Sequence, residues 1–169
     1  MTRRLILLRH AKAEHPHGMA DHARPLALAG RRQAATVGRA LAEDGLVPDL
    51  VLCSSALRTR QTWELVQSTL GTTVDGVEYR DEVYDAGTGD VVALVTAVPD
   101  DVETVLVVGH EPTMSHVAEQ LAGPASDPAA FARVRVGVPT ASWSLLETTT
   151  GWGEVGRGSM VLARLVTPS

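Results

Sequence analysis

Leu5-Ile6-Leu7-Leu8-Arg9-His10 is the stretch that decides the fold: four apolar residues in a row, then a cation and an imidazole. A strand with one wet face alternates apolar and polar residues. An unbroken apolar run is what a strand covered by helices on both faces needs. In sheets built that way, the residues just past the carboxyl end of a strand line the ligand crevice. The pattern recurs twice: residues 50–53 form a second apolar run that ends in Ser54-Ser55, and residues 104–108 form a third that ends in Gly109-His110.

Between these runs the periodicity changes. Residues 13–25 form a polar loop containing Pro and His, and residues 30–44 predict a helix with Ala34, Val37 and Leu41 on one face, stopped at Gly45. A second helix is predicted over 56–70, capped by Ser55 and closed by Gly71. Residues 77–79 suggest a short strand, 85–90 a loop, and 91–98 a helix capped by Asp90. Pro112 suits the first turn of a helix running to 122. Residues 123–139 read as irregular, and the tail as a hairpin of 141–148 with 159–166. Strands alternating with helices predict an α/β fold with a largely parallel sheet, in a single domain over 1–169.

Composition narrows the function. With 44% hydrophobic and 21% charged residues the chain has the make-up of an ordinary globular protein, and 4% aromatics put the core on Leu, Val and Ala. A net charge of −5 and no strongly basic stretch argue against nucleic acid as the main partner. The single cysteine, Cys53, leaves no internal disulfide and fits a reducing compartment. The run after Arg3 and Arg4 is too short for a signal peptide, and no run reaches membrane-spanning length, so the cytoplasm is the expected location.

The three strand ends bring Arg9, His10, His110 and, three residues past Ser55 in the next helix, Arg58 to one edge of the sheet. All four side chains bind anions, and only the histidines do nucleophilic or proton chemistry near neutral pH. A cation in the first turn of a helix opposes the helix dipole, a cost that a bound phosphate would reverse. Each residue also has a plain alternative: a solvated surface position for Arg58, a hydrogen-bonded structural role for either histidine.

These residues stand in a recognisable order. Leu8-Arg9-His10-Ala11-Lys12-Ala13 resembles the Arg-His-Gly signature of the histidine phosphatase superfamily, with Ala11 in place of the usual Gly. Residues Ser54 to Thr62 resemble its Ser-x-x-x-Arg-x-x-Gln-Thr segment, and Val108-Gly109-His110-Glu111-Pro112 its third motif. Arg24-Pro25-Leu26 followed by Gly30 is similar to a further segment of the short, SixA-like branch, although Ala27 stands where a capping Ser or Thr is common. The resemblance implies a three-layer, phosphoglycerate mutase-like α/β fold without a cofactor or metal. It also implies His10 as nucleophile, with Arg9, Arg58 and a protonated His110 around the phosphoryl oxygens and Lys12 and Arg24 as further substrate contacts. Water would then hydrolyse the phosphohistidine.

A proton donor for the leaving group is harder to place. Glu82 is the first candidate and Asp85 the second, each with loop solvation or helix capping as its alternative. A phosphohistidine substrate would need no strong donor, since its imidazole leaves already carrying a proton. The expected partner is therefore a phosphorylated protein, with a small phosphorylated metabolite as the alternative and a non-catalytic phosphate-binding module as the rival from another class. Three other chemistries rank lower. Cys53 and Arg58 are one residue short of the Cys-x5-Arg spacing of cysteine phosphatases. His15, His17, His22 and Asp21 share a loop without a defensible metal-ligand spacing, with the rim of the substrate entrance as their alternative place. Ser54 and Ser55 lack a Gly-x-Ser-x-Gly elbow.

Overall fold

A computed structural model describes residues 1–85 and 87–168. Six strands form one sheet: β1 (Arg3–Arg9), β2 (Leu50–Ser54), β3 (Gly76–Arg80), β4 (Thr104–Gly109), β5 (Trp143–Thr148) and β6 (Val161–Val166). Their order is β3-β2-β4-β1-β5-β6. The pairs β2/β3, β2/β4 and β1/β4 are parallel, and β5, antiparallel to both β1 and β6, alone runs against the rest.

The apolar runs sit at the centre, as two covered faces demand. Leu5, Leu7, Leu52, Val105 and Val107 enter one core, while Ile6, Leu8, Val51, Cys53, Leu106 and Val108 enter the other. This is the period of two of an extended chain, with both sides dry. α1 (Leu28–Glu43) and α2 (Leu57–Leu70) cover the second core. α4 (Thr88–Thr96), α5 (Thr113–Leu121) and α6 (Pro128–Val134) cover the first, and the short α3 (Asp81–Tyr84) follows β3 directly. The result is a three-layer α/β fold with a mostly parallel sheet.

Several predicted boundaries shift, each for a local reason. α1 starts at Leu28, two residues before Gly30, with Ala27 as an N-cap that makes no side-chain bond. Ser55 does not cap α2; Ala56 holds that place, and the Ser55 hydroxyl donates to Asp81 instead. Asp90 lies inside α4, its carboxylate accepting from the Gly87 amide ahead of it. The stretch expected to be irregular contains α6, started by Asp127, whose carboxylate accepts from the Ala130 amide, and by Pro128 in the first turn.

β1 and β4 are neighbours, yet the chain leaves them toward opposite faces: β1 into α1 on one side, β4 into α5 on the other. That divergence opens a crevice at their carboxyl ends. His10 and His110 follow those two ends, and their ring centres lie 5.4 Å apart.

Candidate active site

A cleft of about 320 Å³ at this crevice is lined by Arg9, His10, Lys12, Ala13, His15, Arg24, Arg58, His110, Glu111 and Thr140. The structure thus brings together Arg9, His10, Lys12, Arg24, Arg58 and His110, six of the eight residues expected to take part in the reaction. A larger cleft of about 480 Å³ between α4, α5 and the 157–158 turn contains none of them.

His10 is 8% exposed, and its Nδ1 lies 2.7 Å from the Ala11 carbonyl. A carbonyl only accepts, so Nδ1 carries the hydrogen and Nε2 keeps a lone pair. Burial pushes the pKa of His10 down to about 4 against a weaker pull from that backbone bond, and Arg58, Arg9 and Arg24 push the same way. The ring is neutral at pH 7, with the Nε2 lone pair free. Its backbone is fastened by the second motif: Thr62 Oγ1 accepts from the Ala11 amide at 3.0 Å, and Gln61 accepts from the Leu26 amide at 2.8 Å. On the other side, Gly30 lets α1 touch the Lys12 carbonyl, which a Cβ would overlap.

His110 differs from the expected protonated form. The Arg58 guanidinium, which only donates, lies 3.2 Å from its Nδ1, so that nitrogen accepts. Nε2 then carries the hydrogen and donates to Ser54 Oγ at 2.7 Å. Burial, followed by the charge of Arg58, drives the His110 pKa to about 3. The ring is neutral in the phosphate-free protein, and the positive charge of the cleft rests on its guanidinium and ammonium groups. The same bond directions deny Ser54 a base, since the imidazole beside it donates rather than accepts.

Arg58 is buried rather than solvated. Its Nη1 donates to the Asp21 carbonyl at 2.8 Å and its Nη2 to the Asp21 carboxylate at 3.1 Å. Arg9 donates through Nη1 to the Val138 carbonyl at 2.8 Å. The Nε groups of both arginines are buried with no hydrogen-bond partner among the described residues.

Glu82 is not in the cleft. It lies on α3, more than half exposed, and pairs with Arg80 at 3.0 Å. Asp85, the second candidate acid, is exposed at the end of α3 and lines no part of the cleft either. The carboxylate that does line it, Glu111, was not singled out. Its oxygens accept from the Ser115 amide at 2.8 Å, the Ser115 hydroxyl at 2.5 Å and the Val138 amide at 3.2 Å. Asp21 was expected at most at the rim of the substrate entrance and Tyr84 not at all; Arg58 and Tyr84 lie 37 and 63 residues from Asp21 in sequence, beyond the reach of local spacing. The loop histidines do not converge: His15 meets Arg24, whereas His22 meets Ser55 and the Tyr84 ring. Cys53 is fully buried, and burial pushes its thiol up, away from the reactive thiolate.

Two histidines and two arginines, all side chains that bind anions, thus stand together at the switch between β1 and β4 of an α/β sheet. The chain belongs to the histidine phosphatase superfamily (branch 1), whose model matches residues 5–91. It is 39% identical over 163 residues to an uncharacterised protein of Mycobacterium tuberculosis, covering 95% of this chain and 99% of that one. Two solved structures are similar throughout, both provisionally named phosphohistidine phosphatase SixA. One, from Nakamurella multipartitia, is 35% identical with a TM-score of 0.85, covering 99% of this chain and 97% of that one. The other, from Agrobacterium tumefaciens, is 30% identical with a TM-score of 0.80, covering 98% and 99%.

Proposed function

We propose that the protein hydrolyses phosphohistidine on a protein substrate, passing the phosphoryl group through Nε2 of His10. The observation that carries the substrate class is the state of Glu111. It is the one carboxylate among the described residues lining the cleft, and three donors already occupy its oxygens. An alkoxide leaving group needs a proton that this cleft is poorly equipped to give. A phosphohistidine ring protonated on its other nitrogen leaves as neutral imidazole and needs none.

The steps follow from the geometry. The Nε2 lone pair of His10 forms a bond to phosphorus as the bond from phosphorus to the substrate nitrogen breaks. Negative charge spreads over three equatorial oxygens. Arg9 and Arg58 meet it with fixed donors, the type of stabilisation that dominates such reactions. Water then attacks phosphorus, and Nε2 regains its lone pair as phosphate leaves. Catalysis without metal, and a reducing cytoplasmic setting, belong to the same proposal.

A small phosphorylated metabolite is the second reading. Lys12, His15 and Arg24 extend the basic lining beyond the four central residues, which also suits a substrate with a second acidic group. A turnover panel of phosphohistidine protein, sugar phosphates, nucleotides and an aryl phosphate separates the two. Phosphohistidine turned over fastest supports the proposal; a sugar phosphate turned over faster than phosphohistidine overturns it.

A further inference from the structure

Asp21 is exposed at the start of a short helical turn (Asp21–Ala23), yet it bonds to two of the arginines that line the cleft. Its carbonyl and carboxylate both accept from Arg58, at 2.8 and 3.1 Å. The other carboxylate oxygen accepts from Arg24 Nη1 at 2.9 Å. The Tyr84 hydroxyl, from α3, donates to the oxygen shared with Arg58 at 2.7 Å. The Tyr84 ring in turn stands edge-on to His110, with ring centres 5.6 Å apart.

These bonds settle two things about Arg58. Two acceptors on one residue, with His110 as a third contact, fix the plane of the guanidinium and leave its Nε unengaged among the described residues. Asp21 also places a negative charge against the cation that an incoming phosphoryl group must use. The hydroxyl of Tyr84 and the guanidiniums of Arg24 and Arg58 hold the Asp21 carboxyl well below the usual carboxylate range, so that charge persists in mildly acidic solution.

We infer that Asp21 is a positioning residue that orients Arg58 for the transition state and, through its charge, weakens the hold of the cleft on ground-state and product phosphate. The inference rests on the reading that Arg58 receives phosphoryl oxygens. It separates two quantities that a merely structural residue would move together. Losing the fixed guanidinium plane slows the chemical step, because orientation is realised in the transition state. Losing the carboxylate charge strengthens attraction for any anion at rest.

The test uses Asp21→Asn, which keeps the side-chain shape and the backbone acceptor. Turnover is read with an aryl phosphate, and binding of inorganic phosphate to the intact protein is read by calorimetry, which needs no activity. For Asp21→Asn, kcat is expected to fall between roughly 10- and 100-fold, while phosphate binds roughly two- to fivefold tighter, the scale of one exposed ion pair. Tyr84→Phe, which removes one bond to Asp21 and no charge, is expected to lower kcat less and leave phosphate affinity unchanged. Unchanged kcat, or phosphate bound more weakly by Asp21→Asn, would overturn the inference. Wild-type protein inert toward every phosphorylated substrate would sink the proposed function instead, and calorimetry would still decide the charge effect of Asp21.

Discussion

Arg9 and Arg58 face the same cleft, but the fold braces them in opposite ways. Arg9 donates to the Val138 carbonyl, while the amide of Val138 donates to Glu111, which is itself fixed by Ser115 on α5. That wall is made of partly buried groups tied into the sheet and one helix. Arg58 is braced by Asp21, 53% exposed in its side chain, on a loop closed by the Ala13–Leu26 bridge. The difference separates stability from function. Removing a support on the Arg9 side should cost the fold, and removing one on the Arg58 side should cost the reaction.

The largest effect to expect is at the residue both walls serve. His10→Ala should lower turnover by at least about 10³-fold, as loss of a catalytic nucleophile does, with the circular dichroism spectrum unchanged. Phosphate should also appear on His10 of the wild type in alkali-stabilised mass spectra. Appreciable activity left in His10→Ala would break the scheme at its centre.

The walls themselves are compared by Glu111→Ala and Asp21→Asn. Glu111→Ala strands the Ser115 amide, the Ser115 hydroxyl and the Val138 amide, and should cost about 2–3 kcal/mol in urea unfolding. Asp21→Asn should stay within about 1 kcal/mol of wild type, since the pair it breaks is exposed on one side. Equal losses of stability would erase the contrast.

Acid probes both sides together. His10 and His110 have folded pKa values of about 4 and about 3, below the ordinary 6.5, so the unfolded chain binds their protons first as pH falls. Their contribution to stability is complete above pH 6.5 and drains away as pH drops through 6.5 toward 4. Urea midpoints measured between pH 7 and pH 4.5 should fall, and less steeply in His110→Ala. An unchanged slope in that variant would remove His110 from the account.

The smallest effect belongs to Glu82→Gln. With Glu82 exposed and paired to Arg80, turnover of alkyl and aryl phosphates alike should change by less than about twofold, far below the ~10²–10⁴ of a working general acid. A selective loss with alkyl phosphates would restore Glu82 to the reaction.

What could be read from the chain alone follows the same division. Continuous apolar runs announce β1, β2 and β4, and the residues that end them are fixed by one bond of the backbone, so Arg9, His10 and His110 were legible. Arg58 was legible because a helix of predictable phase carries it. Asp21 and Tyr84 join the site only through contacts across the fold, and nothing periodic marks them; Glu111 stands next to His110 in the chain, but its place in the wall depends on Val138, 27 residues away. The same holds for α6, whose Asp127-Pro128 start was present but overshadowed by the Pro and Gly around it. Glu82 shows that acidity without direction does not place a side chain: on α3 it pairs with Arg80.

Cys53 carries a last consequence. The single thiol of the chain lies fully buried within the second core, and the proposed chemistry runs on imidazole nitrogen. Peroxide and thiol-alkylating reagents silence phosphatases that attack through an exposed thiolate. Here they find no accessible thiol, and turnover should persist under oxidising conditions that disable such enzymes.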